Sequence, residues 1–399
     1  MKPISSSCLP LLPVIASPLQ PLALFVLAMA GLLFLPPAAA QSDSRVVTTG
    51  VPFLLLGPDA RSGGVAEAAT GLLPDANALH INAAKVLFGP EKGASVSYTP
   101  WMRQLVDDAS YGYLSAYRHM NDREAIGIAL QYLNLGSIDF RDEDANLIQS
   151  YKAYEFAIGG AYIRRFSEHF GMSLSARFIY SDLGNGNYNG LEQKPAPAFA
   201  ADLAIYHERS YHNTPDERKT AGYARRLAWG VSISNIGSKL NYNGTYKVFL
   251  PMNLRAGVGY SFYADPENRL TLLMDVNKLL VPSPPEYGAN GEIINGRDPD
   301  RSVVNSFFGS LFDAPGGLRE EIREFSLAAG MEYSYFNLFF FRTGYFYENP
   351  RKGNRQHFAV GAGLRVRAFA FDLAFLAPTS DRFALKNTAK FTISFRPEE

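Results

Sequence analysis

One cysteine occurs in 399 residues, Cys8, and it stands ahead of the apolar run that opens the chain. That is the wrong place for a lipoprotein acylation cysteine. Beyond it the chain has no thiol for a disulfide, a thiolate metal site or a nucleophile. Charge is scarce at the start too, where Lys2 is the only charged residue before Asp43. Lys+Arg and Asp+Glu both number 38, and without Lys2 the formal charge is −1. No basic tract stands out, so nucleic-acid binding has no electrostatic support. After the first forty residues no apolar run approaches the roughly 20 residues of a membrane helix. The six histidines (His80, His119, His169, His207, His212 and His357) form no His-Glu-x-x-His pattern. Nor is there a Gly-x-Ser-x-Gly elbow, a nucleotide loop, a zinc spacing or a calcium loop. The expectation is a protein without catalytic residues, metal or cofactor.

What is present begins with a leader. Lys2 is followed by an apolar run from Leu22 to Leu35 and then by Pro36-Pro37-Ala38-Ala39-Ala40-Gln41. A basic start, an apolar stretch and a small-residue exit make a secretory signal peptide cleaved near Ala40. Pro10, Pro13, Pro18 and Pro21 keep the run too short for a retained membrane helix.

Past residue 92 the dominant signal is alternation. Ile126, Ile128, Leu130 and Tyr132 alternate with Gly127, Ala129 and Gln131, and Leu227, Trp229, Val231 and Ile233 with Ala228, Gly230 and Ser232. Phe358 to Arg367 and Ala389 to Arg396 repeat the pattern. A period of two means strands with one apolar and one small or polar face. About fourteen such segments begin near 93, 109, 123, 150, 170, 196, 226, 250, 268, 322, 337, 356, 367 and 387. Many are near the roughly 9–11 residues that cross a bilayer at a tilt. The aromatic content of 13% suits the two interfacial girdles of a transmembrane barrel. The fold class read here is all-β, a transmembrane outer-membrane β-barrel of about fourteen antiparallel strands with an N-terminal plug segment. Its domains are a signal peptide over 1–40, the plug over 41–92 and the barrel over 93–399.

An even strand count puts both chain ends in the periplasm. Alternate connections should then be short, as at 119–122, 164–169, 264–268, 336–337 and 367–368. The others should be external and longer, as at 136–149, 183–195, 237–249, 281–321 and 348–355. The charged connection 208–225 is the exception, long on the periplasmic side. On this reading Val231 faces lipid, and an arginine at Ser232 is milder than one at Val231 if the lumen is roomy.

The segment before the barrel carries Thr49-Gly50-Val51-Pro52-Phe53-Leu54, Pro58-Asp59-Ala60-Arg61, Gly63-Gly64, Pro74-Asp75-Ala76-Asn77, and His80, Asn82, Ala84 and Lys85. Near the other end stand Arg342-Thr343-Gly344-Tyr345-Phe346-Tyr347-Glu348-Asn349 and Lys352-Gly353-Asn354-Arg355. These motifs resemble the PorV family of outer-membrane proteins of the type IX secretion system, across essentially the whole mature chain. The resemblance implies a fourteen-stranded barrel like that of the fatty-acid transporter FadL. It also implies partners: cargo proteins with folded C-terminal signal domains, the SprA/Sov translocon, and the attachment complex of the sortase PorU with PorQ and PorZ. Outer-membrane lipid and lipopolysaccharide would surround it. Fatty-acid transporter relatives carry Asn-Pro-Ala in the plug, where this chain has Asn82-Ala83-Ala84. The plug motif residues (Pro52, Phe53, Asp59, Arg61, Asp75, Asn77, Asn82 and Lys85) are expected to shape the plug. Gly50, Gly57, Gly63 and Gly64 are expected at tight turns in a crowded lumen.

The external connection 281–321 holds the candidate partner-binding residues. Val304, Phe307, Phe308, Leu311 and Phe312 recur at helical spacing, with Asp300 or Ser302 to cap the start and Pro315-Gly316-Gly317 to close the end. Such a helix either roofs the barrel mouth or presents an apolar surface to a partner. Glu320-Glu321 and Asp107-Asp108 read as loop charges in water, and His357 as a solvated rim histidine. The function expected is a cargo shuttle without chemistry of its own. The rivals are a FadL-like channel for hydrophobic small molecules and a lipid A deacylation factor.

Overall fold

The structure, a computed structural model, describes residues 45–102, 106–141, 144, 146–184, 186–188, 191–212, 224–244, 247–379 and 388–397. The signal peptide and most of the 208–225 connection lie outside the described residues. Fourteen antiparallel strands close into a barrel. They are β1 (Lys92–Pro100), β2 (Ser110–Asn121), β3 (Glu124–Arg141), β4 (Leu147–Ser167), β5 (Phe170–Asp182), β6 (Ala196–His212) and β7 (Ala224–Gly237). The second half is β8 (Asn253–Tyr263), β9 (Asn268–Leu279), β10 (Phe325–Tyr335), β11 (Phe339–Tyr347), β12 (Gln356–Val366), β13 (Phe369–Pro378) and β14 (Thr388–Phe395). Each begins within three residues of the start read from alternation. Closure is made by β1 against β14, with Val96 opposite Ile393 and Tyr98 opposite Phe391. A sheet in lipid cannot leave an edge, because nothing there would bond the unpaired backbone groups.

The outward face follows from the alternation. Ile126, Ile128, Leu174, Phe199, Trp229, Val360, Phe371 and Ile393 are exposed, whereas Ala125, Gln131, Ser173, Ala228, Ala359 and Thr392 are buried. Exposed Phe166, Tyr335, Phe336, Phe339, Phe369 and Phe395 gather at the end that carries the short turns, an aromatic girdle of the kind that marks a bilayer interface.

Two boundaries differ from the sequence reading. The 136–149 connection is largely sheet, since β3 and β4 stay paired past a register shift at Gly136, where φ is +83°. The stretch near 322, read as the start of a strand, is helical over Leu318–Arg323, and β10 begins only at Phe325. Short hairpins, such as Gly186–Tyr188 with Leu191–Gln193, extend the longer connections.

Inside the barrel the chain from 45 to 91 touches the wall nearly all round. Ala60 N donates to Thr392 Oγ1 of β14 at 2.8 Å, Thr70 Oγ1 to Asp275 of β9 at 2.6 Å, and Asn82 Nδ2 to the Ile205 carbonyl of β6 at 2.9 Å. From the wall, Arg226 of β7 donates to the Gly71 carbonyl at 2.9 Å, and His119 of β2 meets the Val86 carbonyl at 2.9 Å. None of these glycines needs a left-handed backbone: Gly50, Gly57, Gly63 and Gly64 are not among the positive-φ residues, and Gly63 and Gly64 lie in the first of two short lumen helices, α1 (Ala60–Gly64) and α2 (Ala78–Ile81). Their constraint is crowding. A Cβ on Gly64 would stand 3.2 Å from the Gly361 backbone, and one on Gly50 would stand 2.6 Å from Leu240 Cδ1.

That crowding changes one expectation. Ser232 is buried, and its hydroxyl donates to the Ile81 carbonyl at 3.1 Å, so the lumen is not roomy there. Val231→Arg should cost about 2–4 kcal/mol by placing a charge in lipid. Ser232→Arg should be comparably damaging, because it drives a long side chain into packed backbone. Both should deplete the heat-resistant folded form on gels; a well-folded Ser232→Arg barrel would contradict the packed interior. Sidedness is tested separately. A protease site at exposed Asn290 should be cut on intact cells, and one at exposed Glu267, in a short turn, only after the outer membrane is opened. The reverse pattern would invert the barrel.

Candidate functional site

The connection from β9 to β10 folds into two short helices. The first, α3 (Val303–Gly309), is capped by Ser302, whose Oγ accepts from Asn305 N at 3.2 Å. Asp300 instead pairs with Lys239 at 3.0 Å. The five apolar residues noted in the sequence separate into two stripes. Phe307 and Leu311, with Val303, pack on buried Met252, Leu280 and Val281 at the barrel mouth. Val304, Phe308 and Phe312 point away, 66%, 68% and 72% exposed. Each stripe repeats every four residues and so runs down one side of the segment. The helix therefore has an anchoring side and an unpartnered side, and Phe307 contacts Phe308 edge to face at 4.9 Å.

Pro315-Gly316-Gly317 does not close α3, which already ends at Gly309. It leads into the second helix, α4 (Leu318–Arg323), which adds Leu318 and Ile322 at 72% and 62% exposure. Sequence reasoning missed both. Their spacing of four, behind Gly-Gly and alongside Glu320-Glu321 in a first turn, was the available signal.

What holds the loop is ionic. Glu320 and Glu321 are buried, contrary to the reading as charges in water. Lys278 donates to Glu321 at 2.8 Å and to Glu324 at 2.7 Å. Lys352 donates to Glu320 at 2.7 Å and to Glu324 at 2.9 Å. Glu321 also accepts from the Asp313 and Ala314 amides at 2.6 and 2.8 Å, Glu324 from Ser283 Oγ at 2.6 Å, and Arg301 pairs with Asp313. Burial pushes the Glu324 carboxyl up, but the Lys278 ammonium and three hydrogen bonds outweigh it and bring it below its ordinary value. Glu320 behaves likewise, lowered against burial chiefly by the Lys352 hydrogen bond. Asp107 and Asp108, by contrast, are exposed.

Apart from exposed Pro52, the motif residues of the N-terminal segment sit in the lumen rather than on a surface. Asp59 caps α1, accepting from Ser62 N at 2.7 Å. Arg61 reaches Glu332 through Nε and Nη2 at 3.1 and 3.2 Å and Asp75 at 2.6 Å. Glu332 accepts also from Arg342 at 2.7 Å, and Arg342 from β11 reaches Asp372 of β13 at 2.6 Å. Phe53 packs edge-on against Tyr111, Lys85 Nζ donates to the Ala69 carbonyl at 2.8 Å, and Asn82 caps the following turn through Ala84 N. Asn77 is buried, Asp75 is half-buried and Pro52 is exposed. The structure brings Arg61, Asp75 and Lys85 into the barrel interior, where Arg61 ties the segment to the wall and Asp75 and Lys85 bond within the segment.

Three further histidines have defined partners. His80 bonds Gln131 at 2.7 Å, and His207 stacks on Trp229 at 5.4 Å. His357, read as solvated, is buried and stacks on Phe346 at 5.3 Å. The His212 side chain lies outside the described residues.

A closed fourteen-stranded barrel with a lipid-facing apolar belt and a girdle at one end is an outer-membrane β-barrel. The family profile described as Type IX secretion system protein PorV matches residues 39–286. The chain belongs to the PorV family of type IX secretion system proteins. Solved structures with a similar course include the toluene transporter TodX of P. putida, at 11% identity, covering 86% of this chain and 99% of that one, with a TM-score of 0.47. A Pseudomonas aeruginosa FadL homologue has 11% identity, coverage of 89% and 100%, and a TM-score of 0.39. Among curated proteins none matches the chain.

The clamp makes a pH prediction. Folded-state carboxyls held low contribute stability above the unfolded Glu value, about 4.3, that is lost as pH falls through their folded values. Below about pH 4 the 280–324 loop should become protease-sensitive while the barrel stays heat-resistant. Lys352→Met should do the same at neutral pH, since stripping one partner from a buried pair costs about 3 kcal/mol. A loop as protease-resistant in Lys352→Met as in the parent would remove the clamp from the account.

Proposed function

We propose that this protein is a cargo-binding shuttle of the type IX secretion system, using the outward stripes of its 280–324 loop to hold a protein partner. The observation that carries this reading is the exposure of Val304, Phe308, Phe312, Leu318 and Ile322 on a loop pinned by buried ion pairs. Apolar side chains held rigidly in water favour binding, because little ordering entropy remains to be lost on contact. The partners proposed are cargo proteins bearing type IX C-terminal signal domains, received from the SprA/Sov translocon and passed to the PorU complex with PorQ and PorZ. A leader over 1–40 and a plug over 41–92 complete the proposal. The filled lumen favours a shuttle over a channel for hydrophobic small molecules. The histidine contacts give no support to lipid A deacylation.

The two stripes on and beyond α3 separate binding from anchoring. Phe308→Ala with Phe312→Ala removes exposed aromatics only, so the barrel should stay abundant. A lost aromatic anchor costs about 2 kcal/mol, roughly thirtyfold in affinity, and cargo should no longer co-purify. Phe307→Ala with Leu311→Ala should instead loosen the loop, read as protease sensitivity. Normal cargo attachment with Phe308 and Phe312 both truncated would reject the loop as the docking surface.

A further inference from the structure

At the short-turn end of the lumen, where β1, β11, β12, β13 and β14 meet, lies a small pocket. Its cations are Arg61, Arg342, Arg365 and Arg396, and its acids are Asp75 and Asp372. Behind it Glu332, fully buried, is shared between Arg61 and Arg342, with Arg269 at 3.7 Å. Those acids are therefore used. Arg61 takes Asp75 and part of Glu332, and Arg342 takes Asp372 and the rest. Among the described residues no carboxylate lies within ion-pair distance of Arg365 or Arg396. Arg365 is half-buried, with its guanidinium 5.1 Å from the centre of the Phe340 ring, against which Arg342 also lies at 5.3 Å.

The pocket thus holds two guanidiniums beyond its acids, in a space walled by Phe340, Tyr117 and Phe395. Like charges sharing one pocket repel, and Arg365, half-buried, has no carboxylate partner among the described residues to offset that repulsion. Arg365 shares the inward register of β12 with His357, Ala359 and Gly363, and Arg396 follows the inward Thr392 and Ser394 of β14. Both therefore face the lumen mouth and not the bilayer, so a lipid headgroup on the outer wall does not reach them. Guanidinium forks match the oxygens of a phosphate or carboxylate two at a time.

We propose that this pocket is an oxyanion site, in which Arg365 and Arg396 take the phosphate or carboxylate group of a water-soluble ligand entering from the short-turn side. Nothing in the shuttle reading requires it, and it stands or falls independently.

The test uses the purified barrel in detergent, titrated with sodium phosphate and, separately, sodium acetate at ionic strength held constant with sodium chloride. Loss of the heat-resistant form is followed against temperature. A saturable rise in the midpoint is expected with at least one anion, and whichever is effective at the lower concentration identifies the ligand group. Arg365→Gln should weaken the apparent affinity about tenfold, as loss of a charged hydrogen-bond partner does. Arg396→Gln, at an exposed position beyond the last strand, should do the same without risk to folding. A response equal to that of chloride, or unchanged in both variants, would overturn the site. So would a response that appears only when Glu398 and Glu399 are both replaced by glutamine, since the chain's own acids would then be the occupant.

Discussion

Glu332 is fully buried inside a barrel, and it is tolerable there only because Arg61 and Arg342 both donate to it. A buried carboxylate without partners would carry a desolvation penalty of several kcal/mol. Arg61 belongs to the N-terminal segment, Glu332 to β10 and Arg342 to β11. The pairing therefore makes the segment an internal part of the wall's electrostatics and not a loose occupant. Thr70 on Asp275, Lys390 on the Gly57 carbonyl at 2.5 Å, and Arg226 on Gly71 repeat the same logic at other heights. Removing the segment would take a partner from charged side chains on β7, β8, β9, β10 and β14 at once.

The loop uses the same device for a different end. Lys278 and Lys352 come from opposite sides of the β10–β11 hairpin, one from β9 and one from the β11–β12 connection, and meet three glutamates of the loop. The lumen ion pairs hold the interior closed. The loop ion pairs hold an apolar surface open. A flexible loop with the same five exposed apolar side chains would fold them onto the barrel mouth, where Phe307 and Leu311 already pack. Rigidity is what keeps Phe308 and Phe312 in water.

Strand number and register were legible because a membrane wall makes every residue choose lipid or lumen, and that choice is written at a period of two. Trp229 and Ser232 could be assigned to opposite faces from their neighbours alone. The charges were not legible in the same way. Glu320 and Glu321 look identical to solvated acids in sequence, since the lysines that bury them stand 43 and 32 residues away. Arg61 and Asp59 were marked as a motif, but the Glu332 that defines the role of Arg61 lies 271 residues on. The α3 pattern showed an apolar helix and hid that it has two apolar sides. Gly63 and Gly64 suggested turns because crowding against Lys390 and Gly361 has no local signature.

These long separations bear on how the barrel is completed. Ala60 and Thr392 are 332 residues apart, and α1 contacts strands β11 to β14. β14 is also the strand that closes the ring on β1. The last strand thus meets two demands together: its backbone must pair with β1, and its inward Lys390 and Thr392 must find the Gly57 carbonyl and the Ala60 amide. A ring closed around an empty lumen would leave Glu332, Asp275 and Lys390 without the partners that the segment provides. A segment packed before closure has only part of its wall. Each half is therefore weak alone, because polar and charged groups buried by one find their hydrogen-bond partners on the other. Filling and closure are best understood as one cooperative step, with the Arg61–Glu332 pair and the buried hydrogen bonds as the coupling between them.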